Sequence, residues 1–213
     1  GKEKPKTSLI PSTESADQLC QADHKVDCSD LGASWKSGEA TCKKDGSGYD
    51  VSNCSQTGGV EMVKPAERDS ERFVNARCNN GTPFGYDLTL APSGSNLKDT
   101  WVIDLKGGGW CDEYSKSCKG RTLSSTPYQK DGQIYASDEF RGIISSDKSE
   151  SPEFYNANRV FAYYCSSDSW SGGMTSPKQI SAGNWYFAGA HNVSSIFNIL
   201  KQRYGLDDSN SGT

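Results

Sequence analysis

The sequence predicts an α/β fold, the first part of an open sheet preceded by a small loop-rich lobe stapled by disulfides. Three observations carry this. The cysteines are unevenly spread, with four of the eight at positions 20, 28, 42 and 54. Three runs with strand character follow, at 85–90, 101–105 and 159–164. An amphipathic helix then occupies about 188–204. A strand pair, a crossover, a buried strand and a helix are the order from which open α/β sheets are built.

Residues 1–66 are polar and rich in Ser, Lys, Asp and Gly, with little apolar periodicity. The opening GKEKPKTSLIPS has too few apolar residues to fold and is expected to be a disordered lead-in. Cys20 to Cys54 reads as the stapled lobe, and its four cysteines allow three pairings between which the sequence does not choose. Residues 67–213 read as an incomplete sheet domain. Gly85-Tyr86-Asp87-Leu88-Thr89-Leu90 alternates as a strand should, and Pro92-Ser93-Gly94-Ser95-Asn96 follows as a turn. Trp101 to Leu105 is a second strand, stopped by Gly107-Gly108-Gly109. Arg159 to Tyr164 is mostly apolar, the pattern of a parallel strand buried on both faces. In the helix, Val193, Ile196, Phe197, Leu200 and Tyr204 recur at helical spacing, with Gly205 placed to close it.

Composition excludes several classes of function. A net charge of −4 without a long basic run argues against nucleic acid as a partner. No apolar stretch approaches the roughly 20 residues that span a bilayer. An even number of cysteines among loops favours disulfides and an oxidising compartment. Zinc is the weaker reading, because no C-x-x-C pair occurs and His24 and His191 lie far apart, so no metal and no cofactor are expected. Sequons at Asn53, Asn80 and Asn192 agree with a secreted, glycosylated protein. The chain starts at Gly1 and ends on a polar turn, and is expected to be a fragment of a longer protein.

The segment with most chemical meaning is Leu105-Lys106-Gly107-Gly108-Gly109-Trp110-Cys111. Glycines directly after a strand let the backbone approach a ligand closely. Esterases with an HGGG-type loop use such N–H groups to hold the oxyanion of a tetrahedral intermediate. A tight turn without chemistry would look the same from the glycines alone.

The wider context shifts this balance. Cys78-Asn79-Asn80-Gly81-Thr82-Pro83, then Gly107 to Cys111, then Cys118, then Tyr164-Cys165 after an Asn-rich approach, stand in one order. Gly142 to Ser146, Ser151 to Asn156 and Phe187 to Ala190 fit the same pattern. Over residues 77–204 this resembles the family of pectin acetylesterases and Notum carboxylesterases. Ser166 to Gly172 is more similar to the animal Notum-like branch, whereas the triple glycine is plant-like, so the substrate does not follow.

The resemblance implies an α/β-hydrolase-type sheet and a Ser-Asp-His triad. It implies that Gly108 and Gly109 are oxyanion-hole donors and that Trp110 sits beside the pocket. Ser167, Asp168 and Trp170 would line the rim or support the loop. Bridges Cys111–Cys118 and Cys78–Cys165 are also implied. No G-x-S-x-G elbow occurs here, so all three triad members are expected beyond Thr213 and none is assigned in this chain. His191 reads as an exposed or capping residue, and Ser166, Ser167, Ser169 and Ser171 as loop hydrogen-bonders. Asp112 and Glu113 read as a solvated loop face. The expected activity, in the whole protein, is removal of acyl groups from an acylated polysaccharide or glycoprotein. The missing C-terminal half of the same protein is the expected partner. The competing expectation is a non-catalytic secreted glycoprotein or binding module on the same fold.

Overall fold

The computed structural model describes residues 20–32, 34–56, 60–112, 118, 129–130, 133–134, 141–181 and 183–206. The expected lead-in, Glu113, much of the crossover and the polar ending lie outside the described residues. The chain divides into two compact units, one of residues 1–57 with 198–213 and one of residues 58–197.

The smaller unit holds β1 (Lys25–Asp27), the one-turn helix α1 (Cys28–Leu31), β2 (Trp35–Ser37), β3 (Glu39–Cys42), β4 (Tyr49–Asp50) and β5 (Ser55–Gln56). β3 pairs antiparallel with both β1 and β4, and β2 pairs antiparallel with β5. Bridges Cys20–Cys42 and Cys28–Cys54 staple these strands. So short a segment has little apolar core of its own, and residues 198–204 supply the rest. Trp35 stacks on Tyr204 with ring centroids 6.1 Å apart, and its Nε1 donates to the Arg203 carbonyl at 3.0 Å. The buried Arg203 guanidinium in turn donates to the carbonyls of Asp30 and Leu31, at 3.2 and 3.1 Å.

The larger unit holds β6 (Glu61–Val63), α2 (Pro65–Arg68), β7 (Tyr86–Thr89), β8 (Trp101–Leu105), the two-residue strands β9 (Gln129–Lys130) and β10 (Gln133–Ile134), and a 3-10 turn at Gly142–Ile144. β11 (Asn158–Ala162), a hairpin of β12 (Lys178–Ile180) and β13 (Gly183–Trp185), and α3 (Gly189–Tyr204) follow. The sheet runs β6-β7-β11-β8. β11 is parallel to β8 and antiparallel to β7. The fold is α/β, a mixed four-stranded sheet preceded in sequence by a disulfide-stapled lobe.

Two details differ from the sequence expectations. β7 and β8 are not a neighbouring pair, because β11 inserts between them. All five residues of β11 are buried, so it belongs where strands cover both of its edges. The division also does not fall at residue 66. β6 pairs with β7, Glu61 opposite Leu88 and Val63 opposite Tyr86, and so joins the larger sheet.

Register places Val63, Tyr86, Leu88, Val160 and Ala162 on one sheet face, each wholly buried. The other face packs Phe161 and Tyr163 with Ile144 of the 3-10 turn, flanked by Met62 and Val102. There the buried Tyr163 hydroxyl donates to Asp87 Oδ2 at 2.6 Å. Asn158 fixes where β8 begins. Its Nδ2 donates to the carbonyls of Lys98 and Thr100, at 2.7 and 3.1 Å, and its Oδ1 accepts from the Ala91 N–H at 2.9 Å.

In α3 the expected apolar stripe is rotated. Ile196, Ile199, Leu200 and Tyr204 are buried, but Phe197 is 41% exposed. Two polar residues share the buried face and bond to backbone carbonyls: Ser195 Oγ donates to the Asn192 carbonyl at 2.7 Å, and Asn192 Nδ2 to the Arg77 carbonyl at 3.1 Å. This removes Asn192 as a glycan site in the folded protein, since the amide is wholly buried and already used. Asn53 and Asn80 are exposed. Among the described residues no helix is long and apolar enough to cross a membrane.

Surface turns repeat one device, a carboxylate receiving hydrogen bonds two residues on. The Ser29 hydroxyl and N–H hold the Asp27 carboxyl below its usual range; the N–H groups of Ser47, Ser52 and Ser149 lead in doing the same to Asp45, Asp50 and Asp147. The Gly142 N–H does so to Glu150 across the 3-10 turn. A carboxyl with a lowered folded pKa stabilises the fold above its unfolded pKa, and that contribution is lost as pH falls through the folded value. Urea denaturation is therefore expected to show these turns fully contributing above about pH 5 and weakening below about pH 4. The Asp27→Asn/Asp147→Asn double variant should have a shallower acid limb, and an unchanged limb would contradict this account.

Candidate active site

The two parallel strands, β8 and β11, end at the same edge of the sheet, where ligands bind in open α/β folds. Gly107 to Trp110 follow β8 and are all exposed, Trp110 by 63%. Gly109 has φ +69°, a left-handed turn in mid-loop. Immediately behind, Cys111 is buried and bridged to Cys118, within a cluster with Ile180 and Trp185 against which Phe187 packs.

The segment after β11 is unusual. Ser167, Ser169 and Trp170 have φ values of +53°, +54° and +63°. Non-glycine residues rarely adopt this region, and each such residue costs on the order of 1–3 kcal/mol that surrounding contacts must offset. Asp168 supplies several of those contacts. Its Oδ1 accepts from Ser166 Oγ at 2.7 Å and the Trp170 N–H at 3.1 Å. Its Oδ2 accepts from the Gly172 N–H at 3.1 Å and the Gly189 N–H at 2.7 Å. The last is the first residue of α3, so a negative group sits where the helix favours one. Ser171 donates to the Asp168 carbonyl through N–H and Oγ, at 3.2 and 2.7 Å.

Asn79, wholly buried, supports the other side. Its Nδ2 donates to the carbonyls of Ser166 and Tyr186, both at 2.7 Å, and its Oδ1 accepts from Ser167 Oγ at 2.7 Å. Its N–H donates to the Cys165 carbonyl at 2.8 Å, beside the Cys78–Cys165 bridge. Trp170 lies tilted on Tyr164 with centroids 5.2 Å apart and meets Phe84 edge-on at 6.0 Å.

The two loops are joined. The Cys111 N–H donates to the Ser167 carbonyl at 3.0 Å, and Trp170 Nε1 to the Lys106 carbonyl at 3.2 Å. The structure thus brings together Gly108, Gly109, Trp110, Ser167, Asp168 and Trp170. Ser167 is buried inside the loop and not on a rim, with Asp168 and Trp170 half-buried beside it. The serines are engaged in loop hydrogen bonds. His191 Nε2 lies 3.1 Å from the Gly173 carbonyl and His24 belongs to the smaller unit. Among the described residues no cluster of three metal-ligating side chains occurs.

Sequence reasoning assigned no role to Asn79, Gly172 or Gly189. Asn79 stood inside a quoted motif, which was the available signal. Gly172 and Gly189 also stood inside such motifs, but their requirement is long-range: a Cβ on Gly172 would lie 2.3 Å from Asp168 Oδ2 and 2.5 Å from the Phe187 carbonyl oxygen.

Comparison with known proteins agrees with this geometry. The family model described as pectinacetylesterase matches residues 59–212. The chain is 32% identical over 137 residues to the palmitoleoyl-protein carboxylesterase Notum of Drosophila melanogaster, covering 64% of this chain and 20% of that one. It is 38% identical over 112 residues to pectin acetylesterase 5 of Arabidopsis thaliana, covering 53% of this chain and 25% of that one. It is 36% identical over 108 residues to a Danio rerio protein named inactive palmitoleoyl-protein carboxylesterase notum1b, covering 50% of this chain and 72% of that one. The solved structure of the Drosophila Wnt deacylase Notum superposes with a TM-score of 0.50 at 31% identity, covering 62% of this chain and 36% of that one. The chain thus spans a fifth to a quarter of the length of the active relatives named here. It belongs to the pectinacetylesterase family, the carboxylic ester hydrolases that include the pectin acetylesterases and Notum.

Proposed function

We propose that this chain provides the oxyanion-binding part of a secreted serine-type carboxylic ester hydrolase that removes acyl groups from a polysaccharide or a glycoprotein. The observation that carries the reading is the exposed Gly107–Trp110 loop at the carboxyl end of β8, joined to the strained loop after β11. A serine Oγ would attack the ester carbonyl as a base takes its proton, and the carbonyl oxygen would become an oxyanion held by the Gly108 and Gly109 N–H groups. The alcohol leaves, and water then releases the acid from the acyl-enzyme. β8 ends the described sheet and its residues are only half-buried up to Asp104, which suits one more parallel strand carrying the nucleophile. The triad in this reading lies beyond Thr213. Asn53 and Asn80, exposed within sequons, are the proposed glycan sites.

The substrate range follows the relatives' names, an acetylated pectin at one end and a palmitoleoylated protein at the other. The test uses p-nitrophenyl acetate and a long-chain p-nitrophenyl ester. Residues 1–213 alone should show no turnover above a heat-denatured control. In the longer protein, Gly108→Pro deletes one donor and should lower kcat by about 10²–10³ with little change in KM. An unchanged kcat would overturn the assignment. The inactive zebrafish relative supports a second reading, a non-catalytic glycoprotein on the same fold. A transcript that stops after Thr213 would favour that one.

A further inference from the structure

We infer that Asp168 is a positioning residue for the glycine loop, acting through a two-point clamp formed by the left-handed residues Ser167 and Trp170. Its catalytic meaning rests on Gly108 and Gly109 being the oxyanion donors; the clamp itself does not.

The geometry is specific. The four residues Gly107 to Trp110 are flanked by Lys106 and Cys111, and each flank is held by one hydrogen bond from the opposite loop. The Lys106 carbonyl accepts from Trp170 Nε1 at 3.2 Å, and the Cys111 N–H donates to the Ser167 carbonyl at 3.0 Å. Both clamping residues have positive φ. With ordinary extended or helical backbone there, the Ser167 carbonyl and the Trp170 indole would point elsewhere. The clamp therefore requires the strained conformation, and strain persists only where the surroundings over-determine it.

Asp168 lies between the two clamping residues. Its carboxylate fixes the Trp170 N–H on one oxygen and the N–H groups of Gly172 and Gly189 on the other. The loop is thereby tied to the start of α3 by a charged acceptor, the stronger kind of hydrogen bond. Asn79 fixes Ser167 from the opposite side. A loop held at both flanks presents its N–H groups without reorganising when charge develops, which is what oxyanion stabilisation needs.

The test reads amide hydrogen exchange and chemical shifts by NMR in this chain. In Asp168→Asn the carboxylamide presents N–H to donors, so both clamp bonds should loosen. Exchange at the Cys111 amide, which donates to the Ser167 carbonyl, should rise by roughly tenfold to a hundredfold as the charged hydrogen bonds of Asp168 that hold this loop are lost. The amides of Gly107 to Trp110 should shift as well. Protection in β11 and in α3 beyond its first turn should be unchanged, which separates positioning from general destabilisation. Trp170→Phe keeps an aromatic ring and removes the indole donor. It should shift the Gly107 and Gly108 amides and leave the Cys111 amide protected. An Asp168→Asn chain with a protected core and an unchanged Cys111 amide overturns the inference. If that variant does not fold, Trp170→Phe decides, and unshifted glycine amides overturn it. No arm uses ester turnover, so failure of the enzymatic reading would leave this result standing.

Discussion

Replacing Cys78 and Cys165 together by alanine is expected to cost about 4–5 kcal/mol of stability, the largest loss from any one bridge. The reason is the length of chain it closes. Cys78 and Cys165 are 87 residues apart, against 22, 26 and 7 for the other three bridges. Closure entropy grows with the logarithm of that separation, so the Cys111→Ala/Cys118→Ala variant should cost only about 2 kcal/mol. Packing adds to the ranking. Both sulfurs of the long bridge are wholly buried, and its ends adjoin Asn79 and Ser166, the residues that brace the left-handed loop. Urea denaturation of the two double variants against the native chain measures the difference. Equal losses would show that the unfolded chain is already ordered between residues 78 and 165, and the entropic account would be wrong.

The strands were legible because their signals are local. Trp101 to Leu105 is apolar apart from Asp104 and is bounded by a turn and a glycine run, and the structure gives that range as β8. Arg159 to Tyr164 reads as parallel and buried because it is mostly apolar, and the structure places the strand at Asn158–Ala162, yet its insertion between β7 and β8 was not readable, since neighbours in a sheet are chosen by pairing across the chain. Glu61–Val63 carries only three residues of pattern, and it is a strand because Tyr86–Leu88 pairs with it. The lobe's disulfide pairing was open for the same reason: four cysteines allow three pairings, and the bridges Cys20–Cys42 and Cys28–Cys54 depend on how the short strands pair across the lobe. Asn192 misled through a true motif in the wrong place, since a sequon encodes nothing about which helix face it will occupy. The site divides likewise. Gly107 to Cys111 announces itself by composition. The brace beneath it is built from Asn79, Asp168 and the N–H groups of Gly172 and Gly189, which are far apart in sequence and individually ordinary.

Gly189→Ala tests that brace where the sequence predicts the opposite sign. Alanine is worth about 1 kcal/mol over glycine within a helix, so helix propensity alone would make the variant more stable. The structure leaves no room for it. A Cβ on Gly189 would lie 2.3 Å from Asp168 Oδ1 and 2.5 Å from the Trp170 Cα. The second contact is backbone and cannot swing aside as a side chain can. Either α3 moves away from the loop or the carboxylate leaves its four donors, and the expected result is a net loss of about 3–5 kcal/mol. Coupling to Asp168 makes the test sharper. In an Asp168→Ala background the carboxylate bonds are already gone, and only the Trp170 backbone contact remains to resist the new methyl group. Gly189→Ala should therefore cost less there, and the double variant should lose less stability than the two single variants combined, as residues sharing one hydrogen-bond network do. Additive losses would mean that Gly189 is needed for the path of the backbone alone. A gain in stability in the Gly189→Ala single variant would mean that the loop after β11 does not lie against the start of α3, and with it the clamp on the glycine loop would lose its anchor.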